Sequence, residues 1–195
     1  MDLDQLREAI VSGDPSRAMP ALAALREASV EQAVPLLLLG LEQSTFMVRS
    51  LSCAGLGMKR NEAGWLALVQ ALEHDEDANV RAEAANALVS HSLQRAWPLL
   101  LPAFQRDSQW LLRCSILSAV AEHPEIPPED LLQLARLAIA DADGTVRVGG
   151  AEILGRLVHE GGDQPVAQQA RAELVALQQD GDHRVVAAAL NGLQA

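Results

Sequence analysis

One short pattern returns along this chain at a nearly fixed interval, and it limits the fold more than any other feature. Four segments align on a Val/Leu-Arg pair: Phe46-Met47-Val48-Arg49, Ala78-Asn79-Val80-Arg81, Trp110-Leu111-Leu112-Arg113 and Gly144-Thr145-Val146-Arg147. The arginines are 32, 32 and 34 residues apart, and Arg17 lies another 32 residues before Arg49. A last copy, Asp182-His183-Arg184-Val185, carries Val186 where the arginine would stand. Seven residues beyond each arginine position come Leu56, Leu88, Val120, Leu154 and Leu193. A period of this length is the mark of an array in which each unit is one supersecondary element.

Each unit reads as two helices. Val80, Ala84, Ala85 and Leu88 fall on one face at helical spacing. Asp75-Glu76-Asp77, Asp107-Ser108, Asp141-Ala142-Asp143-Gly144 and Asp180-Gly181-Asp182 supply turn and N-cap chemistry before each second helix. Upstream of the turns run first helices over 33–41, 65–72, 96–104, 131–140 and 170–177. Pro35, Pro98 and Pro102 are expected to interrupt or bend them. A lone pair of this kind cannot bury its apolar faces, so neighbours must stack. The expectation is an all-α fold, a right-handed α-α superhelix of about five to six helix pairs. It forms a single array over 1–195, with approximate units 1–29, 30–60, 61–92, 93–123, 128–159 and 164–195. Alanine and leucine dominate and aromatics are only 3% of the 195 residues, which suits packed helices.

The pattern Asp-x-x-x-Val-Arg-x-x-Ala-x-x-x-Leu, with a Pro/Trp-Leu-Leu-x-x-Leu helix before it, resembles HEAT repeats. In particular it is similar to the short HEAT-like type of phycobilisome lyase subunits and of the cyanobacterial phycobilisome-degradation group. The resemblance runs over about residues 14–194 and is carried by Ala78 to Leu88 and by Asp182-His183-Arg184-Val185-Val186. It implies a HEAT-repeat solenoid. It also implies an Asp–Arg ladder locking successive units, here Arg49, Arg81, Arg113 and Arg147 with Asp75, Asp77, Asp107, Asp141 and Asp143. As partner it implies a phycobiliprotein or other phycobilisome component.

Charge narrows the partners. The formal net charge is -11, Lys59 is the only lysine and Lys59-Arg60 the only adjacent basic pair. Without a basic stripe, neither nucleic acid nor an anionic membrane is an expected partner. The longest apolar run, Ala33 to Leu41, is too short to span a bilayer, and the segment Met1 to Glu8 lacks the basic start of a signal peptide. Cys53 and Cys114 belong to no Cys-x-x-Cys pair. A reduced, cytoplasmic protein with free thiols is the expectation.

No constellation demands catalysis. His91 and His123 are equivalent, ten residues after Arg81 and Arg113. Equivalent places on packed helices lie about 8–10 Å apart, too far to share a zinc ion, so a role at helix carbonyl ends is expected. The Asp141 to Gly144 turn fails as a calcium loop, because the first and twelfth places hold Ile139 and Gly150. Gly55, Gly57, Gly149 and Gly150 follow no strand and are expected to permit close helix packing. Cys53 falls on the core stripe, while Cys114 turns toward the open side without a base beside it in sequence. No catalytic residue, no metal and no resident cofactor are expected.

The open side is the expected site. In a right-handed stack the second helices line a concave groove, faced by positions one and five after each arginine. These are Ser50, Ala54, Ala82, Asn86, Cys114, Ser118, Val148, Glu152, Ala187 and Asn191. Most are small or polar and leave room for a protein segment. Phe46 and Trp110, three residues before their arginines, stand beside the turns as anchor candidates, whereas Trp65 and Trp97 read as core. The function expected is a protein-binding scaffold engaging phycobilisome components in antenna turnover or assembly. Two alternatives are a phycobilin lyase or chaperone subunit with a transient phycobilin, and a HEAT-repeat adaptor unrelated to pigments.

Overall fold

The computed structural model describes residues 2–121 and 123–194. Over these residues the chain is all helical, with twelve α-helices, one short 3-10 turn at Leu25–Glu27 and no strand. It divides into two compact units, Met1–Arg106 and Asp107–Ala195. The first holds α1 (Leu3–Ile10), α2 (Pro15–Ala24), α3 (Val30–Leu41), α4 (Phe46–Met58), α5 (Glu62–His74), α6 (Ala78–His91) and α7 (Leu93–Arg106). The second holds α8 (Trp110–Val120), α9 (Pro128–Ile139), α10 (Gly144–Gly161), α11 (Pro165–Leu177) and α12 (His183–Leu193).

Local chemistry starts the helices where the turns were read. Asp14, Asp77, Asp143 and Asp182 each accept a hydrogen bond from a backbone N–H of the first turn that follows. Ser29 and Gln32 form a reciprocal capping box at the start of α3. The helices α3 and α7 run unbroken through Pro35, Pro98 and Pro102, so the expected interruption does not occur. All three prolines sit on exposed faces. The opposite faces bury Leu36 and Leu37 in α3, and Leu100 and Phe104 in α7. That burial outweighs the one backbone hydrogen bond each proline removes.

Packing follows the repeat within each unit. Second helices lie side by side, α2 on α4 on α6 in the first unit and α8 on α10 on α12 in the second, while the first helices of each pair cover one flank. Val48, Cys53 and Leu56 of α4 are fully or almost fully buried, as are Val80, Ala84, Ala85 and Leu88 of α6 and Val146, Ala151 and Leu154 of α10. The second helices approach closely because small residues meet at the crossing. A Cβ on Gly57 would lie 3.0 Å from both Cα and Cβ of Ala87, and one on Gly155 would lie 3.0 Å from Cα of Gly192. Backbone stands against backbone at these points, with no flexible side chain to move aside.

Replacing Gly155 by leucine should therefore overpack the α10–α12 crossing and lower stability by about 1–3 kcal/mol. Urea unfolding followed by far-ultraviolet circular dichroism checks this, and an unchanged midpoint would show that the crossing has slack.

Candidate functional site

Arg49, Arg113 and Arg147 bond forward, and each repeated arginine also bonds backward. Its Nη1 donates back to carbonyl oxygens of the turn before its own helix: Gln43 and Ser44 for Arg49, Asp75 and Glu76 for Arg81, Asp107 for Arg113, Asp141 and Ala142 for Arg147. In Arg49, Arg113 and Arg147 the rest of the guanidinium reaches forward to the next turn. Arg49 pairs with Asp75 through Nε and Nη2 at 2.8 and 2.9 Å, and Arg147 pairs with Asp180 in the same two-pronged way at 2.8 and 2.9 Å. Arg113 meets Asp141 at 2.6 Å. Among the described residues Arg49 is the one charged residue in the buried polar set.

The two aspartates of each Asp-x-Asp turn divide the work. Asp75, Asp141 and Asp180 receive the arginine, and each also accepts the backbone N–H two residues on, at 2.8–2.9 Å. Asp77 and Asp143, expected in the ladder, are the N-caps of α6 and α10. Asp107 accepts the N–H of Gln109. Asp180 was recognised in the sequence as a turn residue but not as an arginine partner, since its own unit carries Val186 in place of an arginine. In that unit Arg184 instead clasps Asp182 of its own turn at 2.7 Å and holds that carboxyl down at about 2.

A second set of side-chain donors ties the opposite ends of these helices. Lys59 Nζ donates to the carbonyls of Arg26 and Ala28 at 2.7 and 2.6 Å. His91 Nε2 is 3.0 Å from the carbonyl of Leu56. Arg156 donates to the carbonyls of Ala121 and His123 at 2.6 and 3.0 Å. His91 and Arg156 reach to the carbonyl end of the preceding second helix, and Lys59 to that of the 3-10 turn after α2, where partial negative charge collects. Equivalence of His91 and His123 was the sequence signal for this; Lys59 and Arg156 were missed, because they are of different residue types at slightly shifted places. His123 itself faces Glu125.

Between these tied ends, the middle of the second helices is open. In the second unit, Cys114, Ser118, Val148 and Glu152 line a recess of 270 Å³ between α8 and α10. Val148 and Glu152 also line a wider one of 620 Å³ between α10 and α12, with Ala187 and Asn191 opposite and Arg156, His159 and Arg184 at its edges. Six of the positions named from the repeat are thus brought together on one face. In the first unit Ser50, Ala54 and Asn86 are half-buried. Ala82 does not face an open groove: it is only 5% exposed, because a methyl group is too short to stand clear of its neighbours. Phe46 and Trp110, the first residues of α4 and α8, are 38% and 46% exposed. Trp65 is buried, with the Arg95 guanidinium 4.0 Å over its ring and His91 against its edge, and Trp97 is half-buried.

The titrating groups are tuned away from nucleophilic chemistry. Burial pushes the Cys53 thiol up to about 12 and raises that of Cys114. Burial also lowers the His91 imidazole, leaving it neutral at pH 7 and able to donate to Leu56. Glu83 on α6 is half-buried with no hydrogen-bond or ion-pair partner among the described residues, and desolvation raises its carboxyl. Among the described residues no group of three or more His, Cys, Asp or Glu side chains could hold a metal ion, and no helix is long and apolar enough to cross a membrane.

Comparison with known proteins agrees with this architecture. The profile of HEAT repeats matches residues 34–121. No curated protein sequence matches the chain. Among solved structures, YibA of Escherichia coli superposes with a TM-score of 0.71 at 17% identity, over 99% of this chain and 70% of that one. A designed armadillo repeat protein gives 0.52 at 16% identity, over 99% of both chains. The complex of CpcE and CpcF of phycocyanin lyase from Nostoc sp. gives 0.43 at 21% identity, over 97% and 96%. The fold is a helix-pair repeat of the HEAT and armadillo kind.

Two carboxylates should respond to pH in opposite directions. Arg147 holds Asp180 below the usual carboxylate range, so its contribution is fully present above the unfolded value of about 4 and fades as the pH falls through the lowered folded one. Asp180→Asn should cost about 2 kcal/mol at pH 7, between the values of surface and fully buried pairs, and progressively less in acid. Glu83 is raised, so its charged form burdens the fold once the pH exceeds its unfolded value near 4.5. Glu83→Gln should raise the melting temperature at pH 7 and leave it unchanged near pH 4. Thermal melts at both pH values check the pair; a Glu83→Gln gain that persists in acid would place its origin in packing.

Proposed function

We propose that this chain is a binding scaffold that holds another protein against the second-helix face and makes or breaks no bond in it. The observation that carries the reading is the pair of adjoining recesses over α8, α10 and α12, which share Val148 and Glu152 as a common wall. The groups tying the repeat together lie chiefly toward the helix ends, and the face between them carries side chains that are small (Val148, Ala187) or polar (Ser118, Glu152, Asn191). Small side chains leave room for a polypeptide segment, and the polar ones offer donors and acceptors that fix its register. The Glu152 carboxylate and the Asn191 amide are both exposed. Helix-pair repeats of the HEAT kind generally mediate protein interaction, which supports the same reading.

For the identity of the partner, the motif resemblance stated from the sequence supports a phycobiliprotein or another phycobilisome component, with antenna turnover or assembly as the task. Capture from a cyanobacterial extract on immobilised full-length chain tests both levels. Wild type should retain phycobiliprotein, visible by its colour. Glu152→Arg combined with Asn191→Arg should reduce capture at least about tenfold, a loss of 1.4 kcal/mol, without lowering the melting temperature. Capture unaffected by the double variant would remove the recess assignment. A colourless but recess-dependent protein would keep the scaffold and replace the pigment-bearing partner.

A further inference from the structure

The first unit carries an unpartnered surface of different chemistry from the recess of the second. Along α4, Met47, Leu51, Ala54 and Met58 follow one another at spacings of four, three and four residues, so they form one stripe, about 16 Å long at the helical rise. A buried stripe would be ordinary core. Here Met47 is 43% and Met58 57% exposed, with Leu51 and Ala54 half-covered. Beside it a cavity of 240 Å³ opens between α2, the 3-10 turn and α4, walled by Leu25, Leu37, Leu51 and Met58. The chain thus holds an apolar ridge and an apolar hole side by side, with two flexible thioethers that can mould to a visitor.

The charges around this surface say what kind of visitor. The chain bears 26 acidic against 15 basic residues, yet no acidic side chain lines the cavity, and Arg26 and Lys59 stand at its edge. Arg60 follows at the same end of α4. Lys59 is engaged with two carbonyls, but Arg26 and Arg60 are exposed and their guanidiniums have no hydrogen-bond or ion-pair partner among the described residues. An idle guanidinium, that of Arg26, at the mouth of an apolar hole, with Arg60 next in sequence to the Lys59 of its rim, complements a ligand that is apolar on one side and acidic along its margin.

We infer that α4 and the adjoining cavity dock an acidic amphipathic helix of a partner protein. Its apolar residues, spaced i, i+4 and i+7, seat on Leu51 and Met58 and in the cavity, and its carboxylates meet Arg26 and Arg60. A straight stripe of about three turns matches a helix of similar length better than a looped segment. The inference rests on the scaffold reading and adds the chemistry of one partner segment on a separate surface.

The test is selection of a displayed library of random 16-residue peptides against the full chain, with binding of the enriched peptides then measured by fluorescence anisotropy. Enriched sequences should be net acidic with helically spaced apolar residues. Met58→Asp or Leu51→Asp should weaken them at least tenfold, and Arg26→Glu about fivefold, with recovery when a peptide glutamate is changed to arginine. Met58 and Arg26 are exposed, so these two variants should melt as wild type does; circular dichroism confirms it. Glu152→Arg should leave peptide binding unchanged. Failure to enrich any peptide, enrichment of basic or non-helical sequences, or equal binding to Met58→Asp would overturn the inference. So would a dimer in sedimentation that Met58→Asp abolishes, which would make a second copy the occupant. If the peptides fail while Glu152→Arg with Asn191→Arg still abolishes capture from extract, the scaffold reading survives and only this docking surface falls.

Discussion

The structure depends on a guanidinium that cannot lose its proton and is placed where two turns meet. Its planar fork has enough donors to serve both turns at once, carbonyls behind and a carboxylate ahead. Arg147 shows the arrangement in full: the carbonyls of Asp141 and Ala142 on one side, both oxygens of Asp180 on the other. A lysine would supply the charge but not the two-sided geometry. The receiving aspartate is fixed in turn by the backbone N–H two residues on, and the second aspartate of the turn starts the next helix. One short motif therefore sets the turn, begins the helix and joins adjacent helix pairs, which is why it repeats with so little drift.

The distribution of side-chain size follows. With turn ends joined by arginine and carbonyl ends joined by Lys59, His91 or Arg156, the second helices are held at both extremities and must approach along their length. Gly57 on Ala87 and Gly155 on Gly192 allow it. Apart from the buried Ala82, the outward positions one and five residues beyond each arginine carry little of the packing. What occupies them is free to differ from unit to unit, and it does: Ser50 and Ala54, Cys114 and Ser118, Val148 and Glu152.

The same division explains what could be read from the chain. Helix pairs, turns and the arginine series were legible because they recur in register, so each copy supports the others. Asp180 was not recognised as an arginine partner because a ladder carboxylate belongs to the unit after its arginine, and the final unit lacks the arginine that would have marked it. Burial of Ala82 was illegible because position on a helix gives a direction and not the height of the neighbours. The exposed stripe of α4 was hidden for a related reason: methionine and leucine at helical spacing look the same in sequence whether another helix covers them or not. Nor did the spacing announce the division after Arg106, since the step from Arg81 to Arg113 equals the one before it.

Stability and recognition thus reside largely in different side chains, and the two units use that freedom differently. The second offers a recess in which Glu152 and Asn191 stand across from each other over small residues, with Arg156, His159 and Arg184 at the edge. The first offers methionine, leucine and unpaired arginine around an apolar hole. Retaining Met58 more than half exposed leaves apolar surface in water with nothing gained for the fold of the chain alone. The cost is recovered when another surface covers it. Arg26 at the rim of the adjoining cavity, in a chain whose net charge would otherwise repel acidic proteins, favours a covering surface of opposite sign.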